Sequence, residues 1–194
     1  LDGDTTVDIG DLALFAECWL NGAVYPYSPR PSTRRRLSLN TDWRFHRGDI
    51  AGDAAQTVAY DDTDWDVVRI PHAPVMTPLR VQWPGPDSEE TNWYRKTFTL
   101  DSSDQHKKVF IEFEGVDNTT DVWINGVHLT THYGAYLPFT VDVTDAVFFD
   151  GTPNTLAVKA DERQSDDIPG YGQWLSSGGI YRDVWLHITD KLHV

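Results

Sequence analysis

From Leu37 onward, apolar and polar positions alternate in short runs. Val109, Ile111 and Phe113 are interleaved with Phe110, Glu112 and Glu114, a period of two that predicts a half-buried strand. Thr120 to Ile124 meets Asn125-Gly126 and resumes as Val127-His128-Leu129. Asn-Gly between two apolar runs predicts a tight hairpin, because both turn residues take positive φ. The alternation returns at Phe139, Val141 and Val143, at Leu156, Val158 and Ala160, and at Val184, Leu186 and Ile188. Strands this closely spaced, with no long helical pattern between them, predict an all-β fold, antiparallel sheets stacked as a sandwich or jelly roll.

Two earlier stretches break that pattern. Leu12, Leu14, Phe15, Cys18 and Trp19 recur at helical spacing and predict one short amphipathic helix from about Gly10 to Leu20, stopped by Asn21-Gly22. Between Ala23 and Arg36, Pro26, Pro29 and Pro31 alternate with Ser, Tyr and Arg, which predicts a stiff linker whose basic run Arg34-Arg35-Arg36 is solvated. The chain therefore divides into a segment 1–22, a linker 23–36 and a sandwich 37–194.

Charge narrows the partners. The 194 residues carry 30 acidic and 16 basic side chains, a net −14, which repels phosphate backbones and anionic lipid and so argues against nucleic acid and membrane. The same charge suits neutral ligands and Ca²⁺, which prefers carboxylate oxygens. No apolar run approaches the roughly 18 residues that span a bilayer. The single cysteine, Cys18, excludes an internal disulfide. Eight Trp are many for this length; most are expected in the core, although a flat indole also suits the C–H face of a sugar ring.

The opening Leu1-Asp2-Gly3-Asp4-Thr5-Thr6-Val7-Asp8-Ile9-Gly10-Asp11 places acids at alternate positions and closes on an acid, a loop able to wrap a hard cation. Asp2, Asp4, Asp8 and Asp11 are its candidate ligands, with Thr6 offering a carbonyl. This segment resembles the second half of a dockerin, a calcium-loop module that attaches extracellular enzymes to a scaffold. The resemblance implies Ca²⁺ at the loop and a cohesin-like or surface partner. A first ligand ahead of Leu1 and the partner half are missing, and Thr5 stands where such loops place Gly.

Across the sandwich a longer series appears. Asp42-Trp43-Arg44-Phe45 is followed by Asp64-Trp65, Arg69-Ile70-Pro71-His72 and Trp93-Tyr94-Arg95-Lys96-Thr97-Phe98. Then come Phe113-Glu114-Gly115-Val116, Val122-Trp123-Ile124-Asn125-Gly126, Tyr136-Leu137-Pro138-Phe139 and Asn154-Thr155-Leu156-Ala157-Val158. The closing block is Ser177-Gly178-Gly179-Ile180-Tyr181-Arg182-Asp183-Val184-Trp185-Leu186. In this order the blocks resemble the N-terminal sugar-binding domain of glycoside hydrolase family 2, the β-galactosidase, β-glucuronidase and β-mannosidase group.

That resemblance implies a galactose-binding-like jelly roll, followed by an immunoglobulin-like domain and a (β/α)₈ barrel that holds the catalytic glutamates. A barrel alone needs roughly 250 residues, so the chain is expected to be a fragment of an extracellular or periplasmic, β-galactosidase-like exo-glycosidase. Retaining glycosidases need two carboxylates about 5 Å apart across the scissile bond. Asp61-Asp62, Glu89-Glu90 and Asp166-Asp167 are adjacent pairs, and neighbours on a strand point to opposite faces, so no catalytic residue is nominated. Arg182, Asp183, Asp142 and His72 are expected to maintain the fold.

The candidate substrate-binding residues lie in two loops. In the family the loop Asp166-Asp167-Ile168-Pro169-Gly170-Tyr171-Gly172-Gln173-Trp174 reaches toward the barrel. Trp174 is positioned to stack on a sugar or the barrel wall, Gln173 to offer an amide to hydroxyls where many relatives have Arg, and Asp167 is a further candidate in the same loop. Trp83, in the stretch Gln82 to Trp93, is the second candidate. An independent carbohydrate-binding module, or an attachment module without ligand, are the alternatives to an accessory domain; sugar binding by the chain alone separates them.

Overall fold

The computed structural model describes residues 34–74, 91–162 and 178–191. The predicted helix near Gly10–Leu20 and the linker as far as residue 33 lie outside the described residues. Alternation becomes strand where it was expected. The described residues form β1 (Arg35–Ser38), β2 (Trp43–Arg47), β3 (Asp66–Val68), β4 (Thr91–Phe98), β5 (Lys108–Phe113), β6 (Thr119–Ile124), β7 (Val127–Tyr133), β8 (Phe139–Asp142), β9 (Asn154–Asp161) and β10 (Val184–Thr189). Arg35 and Arg36, read from the sequence as linker, instead open β1, where they pair with Ile188 and His187 of β10. Asn92 and Trp93, read as the end of a loop, are likewise part of β4.

The strands build two antiparallel sheets, ordered β1-β10-β5-β8 and β3-β2-β4-β9-β6-β7. The apolar set of each strand turns inward because successive side chains point to opposite faces. Val109, Ile111 and Phe113 of β5 and Val184, Leu186 and Ile188 of β10 meet Tyr94, Val122, Ile124, Leu156 and Val158 of the larger sheet in one buried cluster. Each such side chain contributes on the order of 1.5–3 kcal/mol by leaving water. Phe113 and Phe139 stack within it at 4.9 Å.

The outer face of the larger sheet is covered as well. Trp93 and Trp123 stack at 5.4 Å and join Trp65, Ala55 and Ala157 in a second cluster. Arg95, only 3% exposed, pins the covering segment 50–65. Its Nε donates to Asp62 Oδ2 at 2.6 Å, and its Nη1 donates to the carbonyls of Ala55 and, at 2.9 Å, Thr57. Core packing thus accounts for Trp43, Trp65, Trp93 and Trp123, while Trp185 is half-buried beneath the Arg36 guanidinium at 3.8 Å.

At one end of the sandwich the Asn125-Gly126 hairpin forms as expected, with φ of 51° and 83°. Asn125 donates to Ala146 O at 2.8 Å and to Asn154 Oδ1 at 2.9 Å, and accepts from Thr155 N at 2.9 Å. Asn154 in turn accepts from Phe148 N and donates to Phe148 O. This end is sealed by protein–protein hydrogen bonds.

Candidate functional site

The opposite end carries the stems of both candidate loops. Thr91, which follows segment 75–90, is opposed to Asp161, and Glu162 precedes segment 163–177. Pro74 and Gly178 are the other two stems. They are drawn together by close backbone approach. A Cβ on Gly179 would fall 2.1 Å from Tyr94 Oη and 2.8 Å from Pro74 Cδ; a Cβ on Gly178 would fall 1.9 Å from Glu162 Oε1. Both glycines also have left-handed φ, 68° and 66°, which a side chain disfavours. Only glycine lets the fourth stem lie against Pro74 and Glu162.

Polar side chains lock this convergence. Asn92 Nδ2 donates to Glu162 Oε1, and both residues are buried. His72 N donates to Ile180 O at 2.8 Å, Asp117 N to Gly179 O at 3.0 Å, and His72 Nδ1 meets the Tyr94 hydroxyl at 3.0 Å. Burial pushes the Tyr94 phenol well above its ordinary range and pulls the His72 imidazole below its own. A neutral His72 wedged edge-on against Phe45 at 4.6 Å is a structural hydrogen-bonding group, as expected.

The substrate-binding candidates Trp174, Gln173, Trp83 and Asp167, and the metal candidates Asp2, Asp4, Asp8 and Asp11, lie outside the described residues. The structure does bring the roots of the two loops to one end. Glu89-Glu90 and Asp166-Asp167 also lie outside the described residues. Asp61 is exposed and accepts from Thr63 Oγ1 at 2.7 Å and Thr63 N at 3.1 Å, bonds that hold its carboxyl below the usual range. With Asp62 committed to Arg95, this pair is no catalytic dyad.

Asp183 and Asp142 hold the frame together. Asp183 Oδ1 accepts from Asn40 Nδ2 at 3.0 Å, while Asn40 Oδ1 accepts from Val184 N at 2.9 Å. Asp142 accepts from Thr144 N and Lys108 Nζ, both at 3.0 Å. Burial opposes its ionisation, but these bonds and the lysine charge prevail and its carboxyl titrates below the usual range. Among the described residues no group of three His, Cys, Asp or Glu side chains is arranged to hold a metal ion. None of the described helices is long and apolar enough to cross a membrane.

The sequence reading missed Glu162, Asn92 and Tyr94 as the clamp on the loop stems. Their signals were faint but present: a Gly-Gly pair directly after a long loop, and Thr91-Asn92, polar residues immediately before the aromatic pair Trp93-Tyr94.

Comparison with known proteins gives this geometry a setting. Residues 37–190 match the family described as glycosyl hydrolases family 2, sugar binding domain. The chain is 37% identical over 178 residues to a β-galactosidase of Bacteroides ovatus, an alignment covering 84% of this chain and 19% of that protein. It is 35% identical over 161 residues to a β-galactosidase of Thermoanaerobacter pseudethanolicus, covering 81% and 21%. Among solved structures, a Bacteroides uniformis β-glucuronidase superposes with a TM-score of 0.69 at 30% identity, over 81% of this chain and 18% of that one. The chain spans about a fifth of the length of the relatives it matches. By sequence match and by fold, it belongs to the sugar-binding domain family of the family 2 glycosyl hydrolases.

Proposed function

We propose that the chain serves as the accessory domain of a β-galactosidase-like, exo-acting glycosidase, supporting a catalytic barrel and extending a loop toward the substrate's terminal sugar. The observation that carries this reading is the convergence of Pro74, Thr91, Glu162 and Gly178 at one end. The residues that flank segments 75–90 and 163–177 are held together there on the double sheet, an arrangement suited to presenting side chains to a neighbouring pocket. Trp174, Gln173, Asp167 and Trp83 are the residues assigned to that contact, and the sugar is part of a β-linked glycan. Gln173 in place of a cation fits a neutral sugar better than a uronate. The setting is extracellular or periplasmic, as the family resemblance implies.

The deciding experiment extends the chain downstream through the catalytic region and assays an aryl β-galactoside. Trp174→Ala is expected to raise KM or lower kcat, and full activity would remove the loop from the substrate. The 194-residue chain alone should give no heat with galactosides, glucuronides or mannosides in calorimetry; millimolar or tighter binding would make it an independent carbohydrate-binding module. At the N-terminal segment the reading assigns Ca²⁺ to Asp2, Asp4, Asp8 and Asp11 and an attachment partner of the cohesin kind. A melting midpoint unchanged by chelator would overturn the calcium assignment.

A further inference from the structure

On the inner face of the larger sheet, Asn92, Ala160, Thr120 and His132 stand directly opposite one another across β4, β9, β6 and β7. Asn92 is 1% exposed and Thr120 and Ala160 are fully buried. Three of the four end in a buried polar atom that no protein group satisfies: Asn92 Oδ1, Thr120 Oγ1 and His132 Nε2. Asn118 Oδ1, two positions before Thr120, is a fourth. Buried polar atoms left unpaired consume a large share of a domain's marginal stability, so native proteins rarely tolerate several in one place.

The residue between Asn92 and Thr120 is Ala160, the smallest in the row. Neighbouring strands run about 4.8 Å apart, so Asn92 and Thr120 flank a gap of roughly 10 Å between backbones that one methyl group does not fill. Two neighbours are fixed in orientation. The Asn92 amide is anchored by its Nδ2 bond to Glu162, which turns Oδ1 the other way. The His132 ring is stacked on Phe139 at 4.1 Å, which fixes its plane.

We propose that this row encloses a buried hydration site: ordered water above Ala160, donating to Asn92 Oδ1 and Asn118 Oδ1 and exchanging hydrogen bonds with the Thr120 hydroxyl and His132 Nε2. A buried water needs two to four polar partners, and the row supplies carbonyl acceptors together with a hydroxyl that donates or accepts. The site lies under the stems of both long segments, so this end of the sandwich is bridged through solvent where the other end is bridged by asparagine side chains.

The test is a nuclear Overhauser measurement on the unmodified chain, from the Ala160 methyl to the water resonance. A cross-peak with the sign of a long-resident water is expected at Ala160, with none at Val109 in the dry core. Thr120→Val removes the row's own hydroxyl proton as a relay of the signal and should leave the peak in place. Asn92→Leu combined with Thr120→Val removes two of the four partners and should weaken it clearly while the amide spectrum stays folded; an undiminished peak overturns the proposal. No peak at Ala160, or equal peaks at Val109, overturns the proposal; so does a peak lost on replacing sodium in the buffer, which would indicate a cation. Should the double variant not fold, a crystal structure of the unaltered chain decides. Water within hydrogen-bond distance of both Asn92 Oδ1 and Thr120 Oγ1 supports the site, and a direct bond between Thr120 and either neighbour overturns it.

Discussion

The two ends of the sandwich solve the same problem in different ways. Each must end a double sheet without stranding the polar groups of its last strand residues. At the Asn125 end, two asparagines bond each other and the backbone of Phe148, Thr155 and Ala146, so Asn154 is 0% exposed with both its side-chain polar atoms paired. At the Glu162 end, Asn92 satisfies one amide atom and leaves Oδ1 without a protein partner, and Thr120 Oγ1, Asn118 Oδ1 and His132 Nε2 have none either. A fully paired polar network makes an end rigid and self-sufficient; a partly paired one depends on what else occupies it. The self-sufficient end carries a two-residue turn, and the dependent end carries the long segments on which the proposed function rests.

The largest test of that contrast is Asn154→Ala. It strips partners from Asn125 and from both backbone groups of Phe148, and should cost on the order of 3 kcal/mol in urea unfolding, read as a lower midpoint at constant slope. Gly178→Ala probes the other end. Its Cβ collides with Glu162 and its φ is left-handed, so a loss of about 2 kcal/mol is expected. Adding Glu162→Ala should recover part of it by removing the collision; no recovery would mean that backbone strain alone sets the cost.

Acid should separate the ends without mutation. Burial holds both His72 and His132, which flank the loop stems, below the ordinary imidazole range. Their folded pKa values lie under the unfolded value, so the unfolded chain binds more protons as pH falls through about 6.5 and stability declines from there toward the folded values. Asp142, at the Asn125 end, is displaced downward from the carboxylate range, so its contribution persists until pH falls below about 4. Hydrogen exchange between pH 7.5 and 5 should lose protection first near His72 and Ile180, and His72→Gln with His132→Gln should flatten that loss. The smallest effect belongs to Thr120→Val, nearly isosteric and expected to cost about 1 kcal/mol or less because a bridging water retains other partners. A cost matching Asn154→Ala would erase the distinction between the ends.

Alternation and turn chemistry, both local, determined much of this protein in advance. The runs around Ile111, Val122, Val141, Val158 and Leu186 became β5, β6, β8, β9 and β10, because a period of two leaves only one face to bury. Asn125-Gly126 specified its own turn, since few other pairs accept positive φ twice. The ordered blocks around Trp43, Trp93, Trp123 and Ile180 likewise identified the family. The partners of the adjacent acids Asp61 and Asp62, by contrast, are set by a turn bond to Thr63 and a distant Arg95, which their spacing does not reveal.

Tertiary structure alone decided the rest. That Arg95 would be buried under a covering segment, or that Arg35 and Arg36 would form an edge strand rather than a linker, depends on partners 33 to 153 positions away in sequence. The clamp of Asn92, Glu162 and Gly178 joins residues whose spacing has no period to read. Close approach of backbone to carboxylate is a property of packed strands, and a linear pattern of apolar and polar letters carries no record of which polar atoms will find partners once the sheets close.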